Sequence, residues 1–210
     1  MTKTVGWALT TLERVKARLG IKETGFDILI EQLINSITDW IEGQCGGRRF
    51  KKTTYTNEIH DGSQPAAIGE GKKRFLLLKH APITALTSFQ YNGGTIGSPS
   101  WTNFSTEEYQ LLDKEGMIYI LGTLPRGFRN IRATYDAGFL IDFANETDTV
   151  KHNLPFDLSN LAERLVVKEF KRREEIGKSG ESQGDATVSF FDHLEEEDKA
   201  VLARYNRIIF

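Results

Sequence analysis

The chain has 210 residues, 39% hydrophobic and 27% charged, which suits one large or two small folded domains and excludes wholesale disorder. A formal net charge of -2 excludes a protein whose whole surface grips nucleic acid, but not one that lets DNA slide past a neutral or acidic wall. The single Cys45 rules out an internal disulfide and a paired-cysteine zinc site, no apolar run reaches the ~18 residues of a membrane span, and Met1–Trp7 lacks the apolar region of a signal peptide; the expectation is a product that folds and stays in a reducing cytosol.

The first helix is predicted from Thr10-Thr11-Leu12-Glu13, which has the spacing of a capping box. Leu12, Val15 and Leu19 share one face, and Gly20 is placed to end the helix in a left-handed cap. Thr24 and Asp27 are expected to open the second helix in the same way. Its apolar stripe is Phe26, Ile30, Leu33, Ile34, Ile37, Trp40 and Ile41, and Gly43, Gly46 and Gly47 stop it before Arg48-Arg49-Phe50. Burial of each large side chain contributes about 1.5–3 kcal/mol, so this helix must pack on the first helix, a later helix or a neighbouring subunit.

From Lys51 the period changes. Thr53–Ile59 is rich in β-formers, and Asp61-Gly62 is a turn signal opening a loop to Lys72. Arg74–Leu78 and Ile83–Tyr91 read as strands, and Asn92-Gly93-Gly94 as a hairpin turn. Thr95–Thr106 carries Trp101 and Phe104 without a readable period. Tyr109–Leu112, a turn at Asp113–Gly116 and Met117–Leu121 read as a second hairpin, and Asn130–Tyr135 as a last strand ended by Asp136-Ala137-Gly138. Five to six strands are expected.

Helical period returns at Pro155, which suits a first helical turn. Leu158, Leu161, Ala162, Leu165, Val166 and Phe170 form the apolar face, and Lys168, Lys171, Arg172 and Arg173 crowd the far end, where cations suit the helix dipole. Gly177–Thr187 reads as a flexible Gly/Ser-rich linker, Val188–Phe191 as a short strand, and Asp192 as the cap of a final helix running through Leu194, Val201, Leu202 and Tyr205. The fold class is therefore α+β: a helical bundle built from the N- and C-terminal helices, with an inserted antiparallel sheet or small barrel. The divisions are 1–50, a helical hairpin; 51–138, a β-rich insertion; and 139–210, helices and tail that complete the helical domain.

Few residues carry readable chemistry. The four histidines, His60, His80, His152 and His193, show no metal-ligand spacing and read as surface residues; no metal, cofactor or catalytic residue is assigned. His60 with Asp61 is the one base-and-orienter pairing, the basis of a rival hydrolase reading. Ile68–Lys73 lacks the phosphate-loop spacing and reads as a solvated loop. Tyr91, Trp101, Phe104 and Tyr109 offer the other rival, a stand-alone binding module with an aromatic platform for sugar or single-stranded nucleic acid, if the rings share an exposed face. Glu195-Glu196-Glu197-Asp198 suits a helix N-terminus or an acidic channel wall. Arg48, Arg49 and the cations from Lys168 to Arg173 suit ion pairs between subunits at least as well as DNA contacts. Trp7 and the terminal Ile208-Ile209-Phe210 pose a choice between packing at home and docking on another chain.

The order of these pieces resembles the head-tail connector (adaptor) family of tailed phages, in its longer members. The resemblance rests on TTLERVKARLGI, on FDILIEQLINSITDWIEGQCGGRRF followed by YTNEIHDG, and then on NIRATYDAGF, the Leu154–Asp157 helix opening, the Gly/Ser loop with Gly184-Asp185, and a final helix ending near Arg204-Tyr205. It covers both helical ends well and the β region in type more than in residues. It implies a structural, non-enzymatic virion protein of the neck, made in the host cytoplasm. Such a protein forms a ring, dodecameric in the virion, beneath the portal protein; the ring extends the DNA channel and meets the next head-completion, stopper or tail protein. It further implies portal docking by Tyr205, Ile208, Ile209 and Phe210, a channel lining with Glu195, Glu196 and Glu197, and a subunit interface with Trp7, Arg48, Arg49, Arg172 and Arg173, with genomic DNA passing through without sequence-specific contact.

Overall fold

The computed structural model describes residues 4–62, 74–121, 124–143, 152–176 and 194–206, and the chain divides into two compact units. One comprises residues 1–50 with 140–208, the other 51–139. The described residues form four helices and two antiparallel sheets, so the α+β class holds.

In the helical unit, α1 spans Leu12–Leu19 and α2 Asp27–Gln44. Thr11, not Thr10, caps α1: its hydroxyl accepts from the Arg14 N–H at 3.3 Å. Thr10 is buried instead and donates to Glu163 Oε1 at 3.4 Å, so the capping box slips by one residue because the first threonine is taken by a tertiary contact. Gly20 ends α1 at φ 70°, with the Ile21 N–H returning to the Lys16 carbonyl at 3.1 Å, the closure that a left-handed residue permits. α2 has no side-chain cap; Thr24 supplies only its carbonyl to Asp27 N–H, and the Asp27 carboxylate pairs with Lys16 Nζ at 2.6 Å.

The expected stripe of α2 is buried at Ile30, Ile34, Ile37 and Ile41, with Phe26 left partly exposed at its start. It packs on α3, Phe156–Ile176, whose Leu158, Leu161, Ala162, Leu165, Val166 and Phe170 are all buried, and on α1. α4, Glu196–Tyr205, packs on α3 through the buried Asp198, Val201 and Leu202. The segment before α1 lies along α2, where the Val5 N–H donates to Asn35 Oδ1 at 2.9 Å and the Leu9 N–H to Thr38 Oγ1 at 3.3 Å.

The other unit holds seven strands among the described residues: β1 Thr53–His60, β2 Arg74–Leu77, β3 Ile83–Asn92, β4 Trp101–Asn103, β5 Tyr109–Leu112, β6 Met117–Ile120 and β7 Ile131–Ala137. They form two sheets, ordered β1-β7-β3-β4 and β2-β6-β5, rather than one. β7 alternates buried and half-buried along its whole length, with Ile131, Ala133, Tyr135 and Ala137 in the core. It runs on through Asp136-Ala137, where the sequence reading ends the strand, because Asp136 pairs with both neighbours and is held by Thr54 Oγ1 at 2.7 Å; Gly138, at φ 111°, ends it. Leu76, Ile118 and Ile120 from the second sheet, and Leu78 just after β2, join the same core with Phe89 and Phe104. The turn expected at Asn92-Gly93-Gly94 is the start of a longer loop, 93–100, pinned by Asn92 Oδ1, which accepts from Gly94 N–H at 2.9 Å and Ser100 N–H at 2.8 Å.

Candidate assembly surfaces

The end of α4 is clamped from several directions within the helical unit. Arg164 binds the carboxylate of Asp198, a group almost fully removed from solvent. Asp157 accepts from the Tyr205 hydroxyl at 2.8 Å and pairs with Arg204 at 3.2 Å. Arg48 is buried, lies over the Phe50 ring at 5.0 Å, and donates through Nη1 to the Tyr205 carbonyl at 3.3 Å. The Tyr205 ring meets Phe50 edge to face at 6.0 Å. Burial and the Asp157 carboxylate both push the Tyr205 phenol above its ordinary range, so it stays a hydrogen-bond donor. Of the predicted docking residues, Tyr205 is thus held at the end of an anchored helix, while Ile208, Ile209 and Phe210 lie outside the described residues.

Substitution of Arg164 by methionine leaves Asp198 buried without its cation. Loss of one partner from a buried pair costs about 3 kcal/mol, but undocking of α4 sets the ceiling, because the freed carboxylate then reaches water. The expected result is a rise of tenfold or so in amide exchange over 196–205, with exchange in α2 unchanged.

The exit from α2 is a second built feature. Glu42 is buried; its Oε1 accepts from the Phe50 N–H at 3.0 Å and its Oε2 from Arg49 Nη1 at 2.7 Å. Burial pushes the Glu42 carboxyl above its ordinary value, against the opposing pull of the Phe50 N–H and Arg49. Gly46 and Gly47, at φ 79° and 71°, let the chain reverse so that this bond can form. Arg49 also lies over the Trp7 ring at 4.7 Å and pairs with Asp39 at 3.4 Å. Arg172 pairs with Glu169 at 3.6 Å; the side chain of Arg173 lies outside the described residues. Glu195, Glu196 and Glu197 are exposed before and in the first turn of α4, with Glu195 3.8 Å from Lys168 Nζ and Glu196 2.8 Å from Lys199 Nζ.

The rival chemistries meet a different geometry from the one they need. Asp61 does not orient His60: its Oδ1 accepts from the Arg129 N–H at 2.6 Å and pins a loop. His60 is not a surface histidine either, since its side chain is 10% exposed and its Nε2 lies 2.8 Å from Glu58 Oε1. The inward face of β1 brings Glu58 into a polar cluster that sequence spacing could not reveal, because Lys79 and Tyr135 arrive from distant positions. Glu58 Oε2 accepts from the Tyr135 hydroxyl at 2.8 Å and Oε1 from the Lys79 N–H at 3.1 Å, while the His80 ring stacks on Tyr55 at 3.6 Å. Among the described residues the hydrogen bonds to Glu58 come from the Lys79 N–H and the Tyr135 hydroxyl, both donors, an arrangement that satisfies a buried carboxylate.

Burial raises the Glu58 pKa, but His60, the Lys79 N–H and the Tyr135 hydroxyl outweigh it and hold the carboxyl below its ordinary range. A folded-state value below the unfolded one gives stability that is present above the unfolded pKa and lost as pH falls through the folded one. The stability difference between the wild type and Glu58→Gln should therefore be largest near neutrality and shrink as pH drops below about 4, which urea titrations at a series of pH values would measure.

The aromatic platform is dismantled by the core. Phe104 is buried and stacks on Phe89 at 4.3 Å; Tyr91 and Tyr109 pack against the same cluster. Trp101 stands apart, with the Arg132 guanidinium over its ring at 4.2 Å. The Ile68–Lys73 loop lies outside the described residues, as do the linker 177–187, Val188–Phe191, Asp192 and His193. Among the described residues there is no group of three metal-ligating side chains, and no helix is long and apolar enough to cross a membrane.

No curated protein matches the chain. Residues 9–69, which carry α1, α2 and β1, match the family of phage gp6-like head-tail connector proteins. Over this stretch, which holds the buried stripe of α2 and the glycine-dependent exit to Phe50, the chain is similar to phage gp6-like head-tail connector proteins, the family its sequence resembles.

Proposed function

We propose that this protein is a head-tail adaptor of a tailed phage that forms a closed ring on the portal, extends the DNA channel and receives the next neck protein. The observation that supports this most is the match of residues 9–69 to the connector family, a structural family, together with an α4 clamped so that the chain leaves Asn206 from a fixed point. In this reading the N- and C-terminal helices form one bundle and residues 51–138 are an insertion into it. A ring needs two unlike patches that repeat around an axis. Trp7, Arg49, Arg172 and Arg173 belong to the subunit face, and Arg48 supports it from inside. Glu195, Glu196 and Glu197 line the channel, where negative charge repels DNA and lets it slide. Tyr205 positions Ile208, Ile209 and Phe210 for a groove on the portal. DNA passes without sequence-specific contact, and the protein takes its place in the virion neck after synthesis in the host cytoplasm.

The test is complementation. Purified chain is added to DNA-filled heads made without it. The adaptor reading expects saturable attachment to these heads and restored retention of DNA. Heads that take up no protein and still lose DNA at saturating chain would refute it.

A further inference from the structure

The loop before β7 displays a group that the other described residues do not engage. Pro125-Arg126-Gly127-Phe128-Arg129-Asn130 carries Phe128, 67% exposed, between two exposed arginines. Every other arginine whose side chain is described is engaged: Arg14 with Ser159, Arg18 with Glu163, Arg48 with the Tyr205 carbonyl, Arg49 with Glu42, Arg132 with Gln90, Arg164 with Asp198, Arg172 with Glu169 and Arg204 with Asp157. The guanidinium groups of Arg126 and Arg129 have no such partner among the described residues.

The backbone beneath them is fixed. The buried Asn130 donates through Nδ2 to the Pro125 carbonyl at 2.9 Å and accepts on Oδ1 from the Gly62 N–H at 2.8 Å. Asp61 takes the Arg129 N–H at 2.6 Å, and Arg129 is held at φ 51°, a left-handed conformation that side-chain-bearing residues adopt at a cost. A Cβ on Gly127 would stand 2.8 Å from Asn130 Cγ. A buried amide, a carboxylate and two tight glycines therefore hold an exposed ring between two arginines that have no ion-pair partner among the described residues.

We propose that this loop is a docking element: Phe128 enters an apolar pocket on the protein that joins the connector from the tail side, and Arg126 and Arg129 pair with carboxylates at that pocket's rim. Charge complementarity identifies the partner's chemistry, because two guanidinium groups that flank a ring and pair with no described residue call for acidic groups around an apolar hole. Aromatic and arginine anchors on a pre-formed support are what concentrate binding energy in protein interfaces, and a rigid loop loses little entropy on docking. Duplex DNA fits less well. Its bases are stacked inside, so it would engage the arginines and leave Phe128 in water.

The proposal rests on the adaptor reading, and its test separates the two. DNA-filled heads lacking the protein are supplied with the wild type, Phe128→Ala, or the Arg126→Glu/Arg129→Glu double variant, each checked for an unchanged melting temperature. Attachment to heads is measured first, then joining of purified tails, and in parallel the mobility shift of a short double-stranded DNA. All three proteins should attach equally, while both variants join tails about tenfold less well or worse. Tail joining by the variants at the wild-type level overturns the docking loop and leaves the adaptor reading standing. The same holds if the charge-reversed variant loses only DNA binding, the result that assigns the loop to nucleic acid. Failure of the wild type to attach to heads removes the adaptor reading itself, and the proposal with it.

Discussion

A chain ending at Asn206 should lose at least about a hundredfold in portal affinity while its melting temperature stays unchanged. The last hydrogen bond of α4 runs from the Asn206 N–H to the Leu202 carbonyl at 2.8 Å, and the clamp made by Arg48, Asp157, Arg164 and Phe50 is complete within residues up to Tyr205. The truncation removes Arg207, Ile208, Ile209 and Phe210 and leaves that clamp whole. Burial of a large apolar side chain contributes about 1.5–3 kcal/mol, so three of them could supply several kcal/mol even after the entropy of ordering a chain end is subtracted. A hundredfold in affinity corresponds to about 2.7 kcal/mol, well inside that range. Co-sedimentation of labelled protein with portal assemblies reads the affinity, and calorimetry reads the fold. Normal portal binding by the truncated chain removes the tail from the interface; a large fall in melting temperature means that the tail packs at home.

Replacement of Gly62 by alanine should destabilise the β unit by about 3 kcal/mol, the upper part of the range for a forced overpacking. A Cβ there would sit 1.9 Å from the Pro125 carbonyl oxygen and 2.9 Å from Asn130 Oδ1. Neither neighbour is the free end of a flexible side chain, since Asn130 is buried and bonded to both Pro125 and Gly62. Relief therefore breaks at least one of these bonds and leaves a buried amide unsatisfied. Gly43 is the matched control. A Cβ there meets nothing within 4 Å, and the residue lies inside α2, so alanine should stabilise by about 0.5–1 kcal/mol through backbone entropy. Urea denaturation of the two variants gives the comparison directly. A Gly62→Ala protein as stable as the wild type contradicts the close approach.

These effects also mark what the sequence discloses. The stripe Ile30-Ile34-Ile37-Ile41 and the face of α3 are legible because helical period is local and one face must leave water. The left-handed cap at Gly20 is legible for the same local reason. Thr10 and Thr24 have the spacing of caps, yet neither hydroxyl caps a helix: Glu163 takes the Thr10 hydroxyl from another helix, and Thr24 contributes only its carbonyl, to the Asp27 N–H. The Glu58 cluster is hidden in the sequence because its partners come from β1, β7 and the segment after β2, and no spacing rule joins them. The aromatic residues look like a platform in sequence because composition does not say which side of a strand faces in; the register of β3 with β7 sends Phe89 inward, and Phe104 follows it. Asp61-Gly62 reads correctly as a turn, but its reason, the approach to Pro125 and Asn130, needs the fold.

The most direct test of the connector role is electron microscopy of the purified protein mixed with portal complexes from the same virus. The account predicts an added closed ring of density at the narrow end of the portal, coaxial with its channel, and no such ring when the chain ends at Asn206. Portals that carry no added density at saturating full-length protein would contradict it.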